Sequence, residues 1–102
     1  MKSKKSKRQT KQRKPYFVYL LRCRDNSLYC GQTNDLEKRV AAHASGTAAG
    51  SRYTRSRLPV RLVYHESVSD LSHALKREYA IKSMTKEEKE RMVEGKIKSN
   101  GQ

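Results

Sequence analysis

One stretch constrains the fold more than any other: residues 16–43, YFVYLLRCRDNSLYCGQTNDLEKRVAAH. Tyr16 to Cys23 is rich in aromatic and β-branched residues and reads as a strand. Asp25, Asn26 and Ser27 supply turn chemistry, because Asp and Asn bond their own backbone and tolerate the left-handed conformation. Leu28 to Gln32 reads as the returning strand. Thr33-Asn34-Asp35-Leu36-Glu37 then opens a helix, with Asn34 as N-cap and Glu37 at capping-box spacing. The helix runs to about Ala44 and stops near Gly46. Leu36, Val40 and Ala44 recur every fourth residue and are expected to face the core. Arg39 and His43, one turn apart, fall on a neighbouring stripe at its rim.

The turn length decides which side chains share a face, since faces alternate along a strand. A two-residue loop pairs Arg22 with Tyr29 and sends Tyr19 to the other face. A three-residue loop pairs Cys23 with Tyr29, and Tyr19 and Tyr29 then project together. The odd loop, or an equivalent bulge, is expected. Gly31, close to Tyr29, suggests a bend or a close backbone approach.

The remainder is sparser. Ser45 to Pro59, SGTAAGSRYTRSRLP, is a long loop whose Arg52, Tyr53, Arg55 and Arg57 suit a phosphate backbone and a base or sugar face. Val60 to Glu66 alternates as a third strand, with Val60, Leu62 and Tyr64 on one face and Arg61, Val63 and His65 on the other. Asp70 to Ser83 reads as a second helix capped by Ser69 or Asp70, with Leu71, Ala74, Leu75 and Ile81 as its apolar stripe. Glu78 falls inside that stripe. A carboxylate there is costly unless it is paired, metal-bound or open to a cleft. Lys82, one turn on, offers an ion pair; a functional carboxylate is the other reading. Thr85 and Glu88 are spaced as a capping box for a short third helix, anchored by Met92 and Val93 and ending near Gly95.

Charge points to the partner. The 102 residues carry a formal net charge of +14. Residues 2–14 hold eight of the 24 Lys and Arg and no acid, which leaves sixteen bases against ten acids, still +6, in the rest. A basic domain behind a basic arm is built for a polyanion, and nucleic acid is the usual one. Residues 1–14 are expected to be a disordered electrostatic arm, 15–96 the folded domain, and 97–102 a frayed tail. No apolar run approaches the ~20 residues of a membrane span, so a cytoplasmic protein with no membrane partner is expected, nucleoid-associated in a bacterium. Cys23 and Cys30 are too few for a disulfide framework and read as small strand residues.

The chemistry follows from the side chains. A tyrosine pair, an Arg and a His one turn apart, and one core-facing Glu suit phosphodiester hydrolysis. Glu78 could hold one Mg²⁺ (or Mn²⁺) through an oxygen. Arg39 could neutralise charge developing on a phosphate. A phenol with pKa about 10 is a poor base unless cations lower it, and Arg39, Arg22 and a metal are the cations at hand. Lys38 adds another cation on the first helix.

These residues resemble the GIY-YIG endonuclease superfamily, in its small stand-alone bacterial branch. Phe17-Val18-Tyr19 stands for the first name-giving triplet and Tyr29-Cys30-Gly31 for the second; the NDLEKRVAAH, GSRYTRSRLPVRLVY and ALKREYAIK segments follow in order. The resemblance implies an α+β fold, a small three-stranded antiparallel sheet flanked by helices in the order β-β-α-β-α-α. It implies that Tyr19 helps activate the attacking water with Tyr29 beside it, that Arg39 holds the scissile phosphate, that Glu78 binds a single divalent metal, and that His43 joins the site in proton transfer. The expected activity is cleavage of DNA, branched or damaged, with low sequence specificity and a role in repair or recombination, any sharper specificity coming from a protein partner. The competing reading is a non-catalytic DNA- or RNA-binding module with a degenerate nuclease site.

Overall fold

The computed structural model describes residues 15–46 and 50–95. The expected basic arm, 1–14, and tail, 97–102, lie outside the described residues. Three antiparallel strands, β1 (Tyr16–Arg22), β2 (Leu28–Thr33) and β3 (Arg61–Val68), form one sheet in the order β2-β1-β3. Helices α1 (Leu36–Ser45) and α2 (Arg52–Arg55) belong to one face, and α3 (Leu71–Lys82) and α4 (Lys86–Val93) to the other. The short α2, capped by Ser51, interrupts what reads as loop in the sequence. Among the described residues no helix is long and apolar enough to cross a membrane.

The hairpin turn has odd length, set one residue earlier than expected. Asn26 N–H bonds the Cys23 carbonyl at 2.9 Å, and Cys23 N–H bonds the Ser27 carbonyl at 2.9 Å. The loop is therefore Arg24-Asp25-Asn26, with Asn26 left-handed at φ 71°. Asp25 accepts from Ser27 N–H at 3.0 Å, which closes the turn locally. Arg22 then opposes Leu28, Leu21 opposes Tyr29, and Tyr19 opposes Gly31. Sliding the loop by one residue moves every pairing by two and leaves the faces unchanged, so Tyr19 and Tyr29 do share a face.

One face carries the apolar core. Val18, Leu20, Cys30 and Tyr64 from the sheet pack against Ala74 and Ile81 of α3 and Met92 of α4. The Val, Leu, Ile and Met side chains among them each contribute about 1.5–3 kcal/mol by leaving water. A bulge between Leu20 and Leu21 sets Leu20 opposite Tyr64 but Leu21 opposite Leu62. Leu62 and Tyr64 thus point to opposite faces, against the simple alternation expected of β3.

Three helical expectations are corrected. Asp35, not Asn34, caps α1, accepting from Lys38 N–H at 3.2 Å. On α1, Leu36 and Val40 are half-buried and Ala44 is exposed, while His43 is fully buried. The inward face is turned toward His43 because that ring finds partners for both nitrogens. On α3, Ala74 and Ile81 are buried but Leu71 and Leu75 are 42% and 47% exposed. Arg77 is the reason: its Nε bonds Glu66 of β3 at 2.6 Å and draws that side of the helix onto the sheet. Glu78 consequently sits at the border of the buried face. The Thr85/Glu88 capping box of α4 forms as expected.

Candidate active site

The face toward α1 and α2 is polar at its centre. A Cβ built on Gly31 would lie 2.4 Å from the Tyr19 hydroxyl and 2.6 Å from its Cζ. The phenol therefore lies across the glycine, and no side chain fits between them. From there the Tyr19 hydroxyl reaches His43 Nε2 at 2.9 Å. Arg39 also hydrogen-bonds this phenol. Tyr29, two residues before Gly31 and half-buried, sets its ring centroid 5.2 Å from that of His43 and 5.7 Å from that of Tyr53. The odd turn and one helix thus bring Tyr19, Tyr29, Arg39 and His43 together. Beside Arg39 opens a shallow cavity of about 330 Å³, lined also by Thr33, Asn34, Asp35, Lys38 and Ala42.

Burial sets the protonation states. The Tyr19 phenol is pushed up to about 12, because loss of water outweighs the bond and charge of Arg39. The His43 imidazole is pushed down to about 4, first by burial and then by the Arg39 charge. At neutral pH the phenol keeps its proton and the imidazole is neutral. Of the cations expected to lower it, Arg39 does act on the Tyr19 phenol, but burial outweighs it.

The segment after α1 supplies residues that sequence reasoning missed. A Cβ on Gly50 would meet the Ala42 carbonyl oxygen at 3.0 Å and His43 Cα at 3.1 Å, so glycine lets this segment lie directly on α1. Ser51 caps α2, and Thr54, fully buried, brings Oγ1 to 2.9 Å from His43 Nδ1. Ser51 was the available signal, since serine is a favoured N-cap. Arg57 is a clamp. Its Nε bonds Asp25 at 3.0 Å, its Nη1 bonds the Tyr53 carbonyl at 3.1 Å, and its guanidinium covers the Tyr53 ring at 3.8 Å. Its backbone carbonyl accepts from Arg24 N–H at 2.8 Å. Tyr53 has Arg57 and Tyr29 against its ring and is 38% exposed. Arg52 and Arg55 are exposed.

Arg22 does not reach this cluster. It points to the other face, where its guanidinium makes two bonds to the Glu90 carboxylate, one at 2.8 Å. Its expected role as a site cation is corrected to an ion pair that ties β1 to α4.

Glu78 stands on α3, across the sheet from the tyrosines. Its side chain is 18% exposed and pairs with Lys82 at 3.2 Å. Its charge helps push the Cys30 thiol up to about 11, after burial, which has the larger effect. Cys30 lies between Tyr29 and Gly31 in β2, an outer strand of the sheet. Glu78 and the tyrosine cluster therefore flank one sheet edge from opposite faces. Among the described residues no three His, Cys, Asp or Glu side chains gather as a metal cage. A lone, partly exposed carboxylate suits a hard cation such as Mg²⁺, which keeps several waters and takes other oxygens from a substrate phosphate.

Comparison with known proteins places this geometry. Residues 15–91 match the model of the GIY-YIG catalytic domain. A UPF0213 protein of Staphylococcus haemolyticus is 46% identical over 79 residues, 78% of this chain and 94% of the relative. One of Clostridium perfringens is 48% identical over 80 residues, 78% and 84% of the two chains. The solution NMR structure of a UPF0213 protein from Bacillus halodurans superposes with TM-score 0.52 at 39% identity, covering 80% of this chain and 85% of that one. That of protein EF2693 from E. faecalis gives 0.55 at 34% identity, covering 84% and 90%. With one antiparallel three-stranded sheet between helices and a family match over nearly all of the folded part, the chain belongs to the GIY-YIG family of nuclease domains, alongside the small bacterial UPF0213 proteins.

Proposed function

We propose that this protein is a metal-dependent endonuclease that hydrolyses phosphodiester bonds in DNA, with low sequence specificity and a preference for branched or damaged structures. The observation that carries the reading is the convergence of Tyr19, Tyr29, Arg39 and His43 beside an open cavity, with Glu78 across the same sheet edge. In this reading Arg39 and Lys38 bind the scissile phosphate in that cavity, and Arg39 stabilises the charge that grows on it. Tyr29, half-buried, is the phenol that orients the attacking water. Tyr19, buried beneath it and committed to His43 and Arg39, positions these groups rather than acting as the base. Nucleases of this family generally use a divalent metal. Glu78 would hold it, with Lys82 giving way, and when bound it would polarise the phosphate and lower the pKa of a bound water. Arg52 and Arg55 would meet the backbone away from the break. A role in DNA repair or recombination follows from such a substrate, with a protein partner supplying sharper specificity.

The test is cleavage of supercoiled plasmid and synthetic four-way-junction DNA with Mg²⁺ or Mn²⁺. Arg39→Ala and Glu78→Ala should each lower the rate by about 10²–10³. Wild-type protein that cuts neither substrate, or variants that cut as fast as wild type, would sink the proposal. The non-catalytic binding reading makes the opposite forecast, salt-dependent DNA binding without cleavage and without sensitivity to Glu78→Ala.

A further inference from the structure

Two hydrogen-bond arguments, from opposite ends of one buried chain, converge on a single arrangement of protons. At one end, Thr54 Oγ1 lies 3.1 Å from the Ser51 carbonyl oxygen, which can only accept, so the Thr54 hydroxyl proton points there. His43 Nδ1, 2.9 Å from the same Oγ1, must then donate. The Ser51 hydroxyl, 3.0 Å away, fills the remaining lone pair of Thr54. At the other end, Tyr19 is buried, and Arg39, its second partner, can only donate. The phenol proton therefore goes to His43 Nε2 at 2.9 Å. Both ends require a neutral His43 with its one proton on Nδ1.

We propose that Thr54 is a positioning residue that locks His43 in the Nδ1–H tautomer, which fixes the Tyr19 hydroxyl as donor to Nε2 and turns the lone pairs of the phenol oxygen toward Arg39. The order of donation is Tyr19 to His43 to Thr54 to the Ser51 carbonyl. Gly50 makes it possible by letting the capped turn of α2 rest on His43. Valine matches threonine in shape but has no hydroxyl, so Thr54→Val leaves Nδ1 without an acceptor and removes the bias between tautomers. Serine keeps the hydroxyl. The tautomer assignment is independent of the nuclease reading above; its effect on catalysis rests on that reading.

The experiment is long-range ¹H–¹⁵N NMR of the full chain, wild type, Thr54→Val and Thr54→Ser, with cleavage of four-way-junction DNA in Mg²⁺ measured on the same samples. Wild type and Thr54→Ser should show Nδ1 protonated and Nε2 bare, and Thr54→Val a mixed or inverted pattern. Cleavage by Thr54→Val should fall in kcat by about 10–100-fold with KM unchanged, the size typical of residues that orient functional histidines, and Thr54→Ser should restore it. An Nε2–H tautomer in wild type overturns the assignment, and does so even if Thr54→Val fails to fold. A shifted tautomer in Thr54→Val with wild-type kcat overturns its positioning role. Wild-type protein that cuts no DNA yet shows the Nδ1–H tautomer would refute the nuclease reading and leave the lock supported.

Discussion

Gly31→Ala is the sharpest probe of how the tyrosine cluster is built. Gly31 has an ordinary backbone conformation, so the substitution acts through contact alone. The new methyl carbon would stand 2.4 Å from the Tyr19 hydroxyl and 2.6 Å from Cζ. Carbon contacts settle at roughly 3.5 Å, so the end of the ring must retreat by about 1 Å. Tyr19 is only 1% exposed and has no solvent to retreat into. The retreat also stretches the 2.9 Å bond to His43 past a useful length. Overpacking costs about 1–3 kcal/mol, and a buried imidazole nitrogen left without its partner costs about 1–3 kcal/mol more. The sum, about 2–6 kcal/mol, is a large part of the stability of a small domain. Urea unfolding followed by circular dichroism reads it as a midpoint lowered by about 2 M or more, for a slope near 1 kcal/mol/M. Tyr19→Phe in both backgrounds completes the cycle. If Gly31→Ala has already broken the bond, losing the hydroxyl should cost about 1–3 kcal/mol in wild type and close to nothing in the variant. A Gly31→Ala protein within ~1 kcal/mol of wild type, with the hydroxyl still contributing in full, would refute the reasoning.

Other expectations are quick to check. His43 sits at about 4 in the fold against 6.5 in the open chain, so the unfolded state takes up a proton that the folded state refuses. Stability should fall as pH drops from 6.5 toward 4, by about 3 kcal/mol in total. Glu90, held down to about 2 by Arg22 and then Lys86, acts in a lower window: its stabilisation is full above 4.5 and is lost as pH falls through 2. A melting temperature that is flat between pH 6.5 and 4.5 would contradict the buried neutral imidazole. Asn26 is left-handed, so Asn26→Gly should be within ~0.5 kcal/mol of wild type and Asn26→Val should cost about 1–2 kcal/mol in urea unfolding. Arg22→Gln should lower stability by about 2 kcal/mol but leave the salt dependence of DNA binding unchanged. Arg55→Gln should do the reverse and reduce the salt slope by about 1; equal slopes for the two would undo the assignment of Arg22 to α4.

The sheet and its helices could be read from the chain because they rest on local patterns. The hairpin shows this most clearly. Face parity follows from the loop being odd, and it survived a one-residue error in where the loop sits. What failed was what depends on partners distant in sequence. His43 looked like a rim residue because a polar ring inside a helix face has no local explanation; its two hydrogen-bond partners come from β1 and from α2. Arg22 looked like a free cation until α4, 68 residues on, supplied Glu90. Leu71 and Leu75 looked like core because helical spacing cannot register the pull of Arg77 on Glu66. Thr54 was overlooked because a threonine in a basic loop gives no sign of burial, although Ser51 three residues earlier marked the helix start.

The two faces of the sheet have different consequences for variation. On the α3 side, apolar burial holds the layer together with the Arg77–Glu66 and Arg22–Glu90 pairs at its margins, and volume-conserving apolar swaps there cost little. On the α1 side, Tyr19, His43, Thr54 and the glycine that makes room for them share the inner layer with Leu21, and the nuclease reading assigns its chemistry to the same groups. An inactive clone recovered from a random mutant library at any of these positions would therefore be a folding lesion and a chemical lesion together. Activity in such a screen becomes interpretable only when divided by the amount of folded protein, and the substitutions that separate the two effects will be those that keep shape and change only a proton.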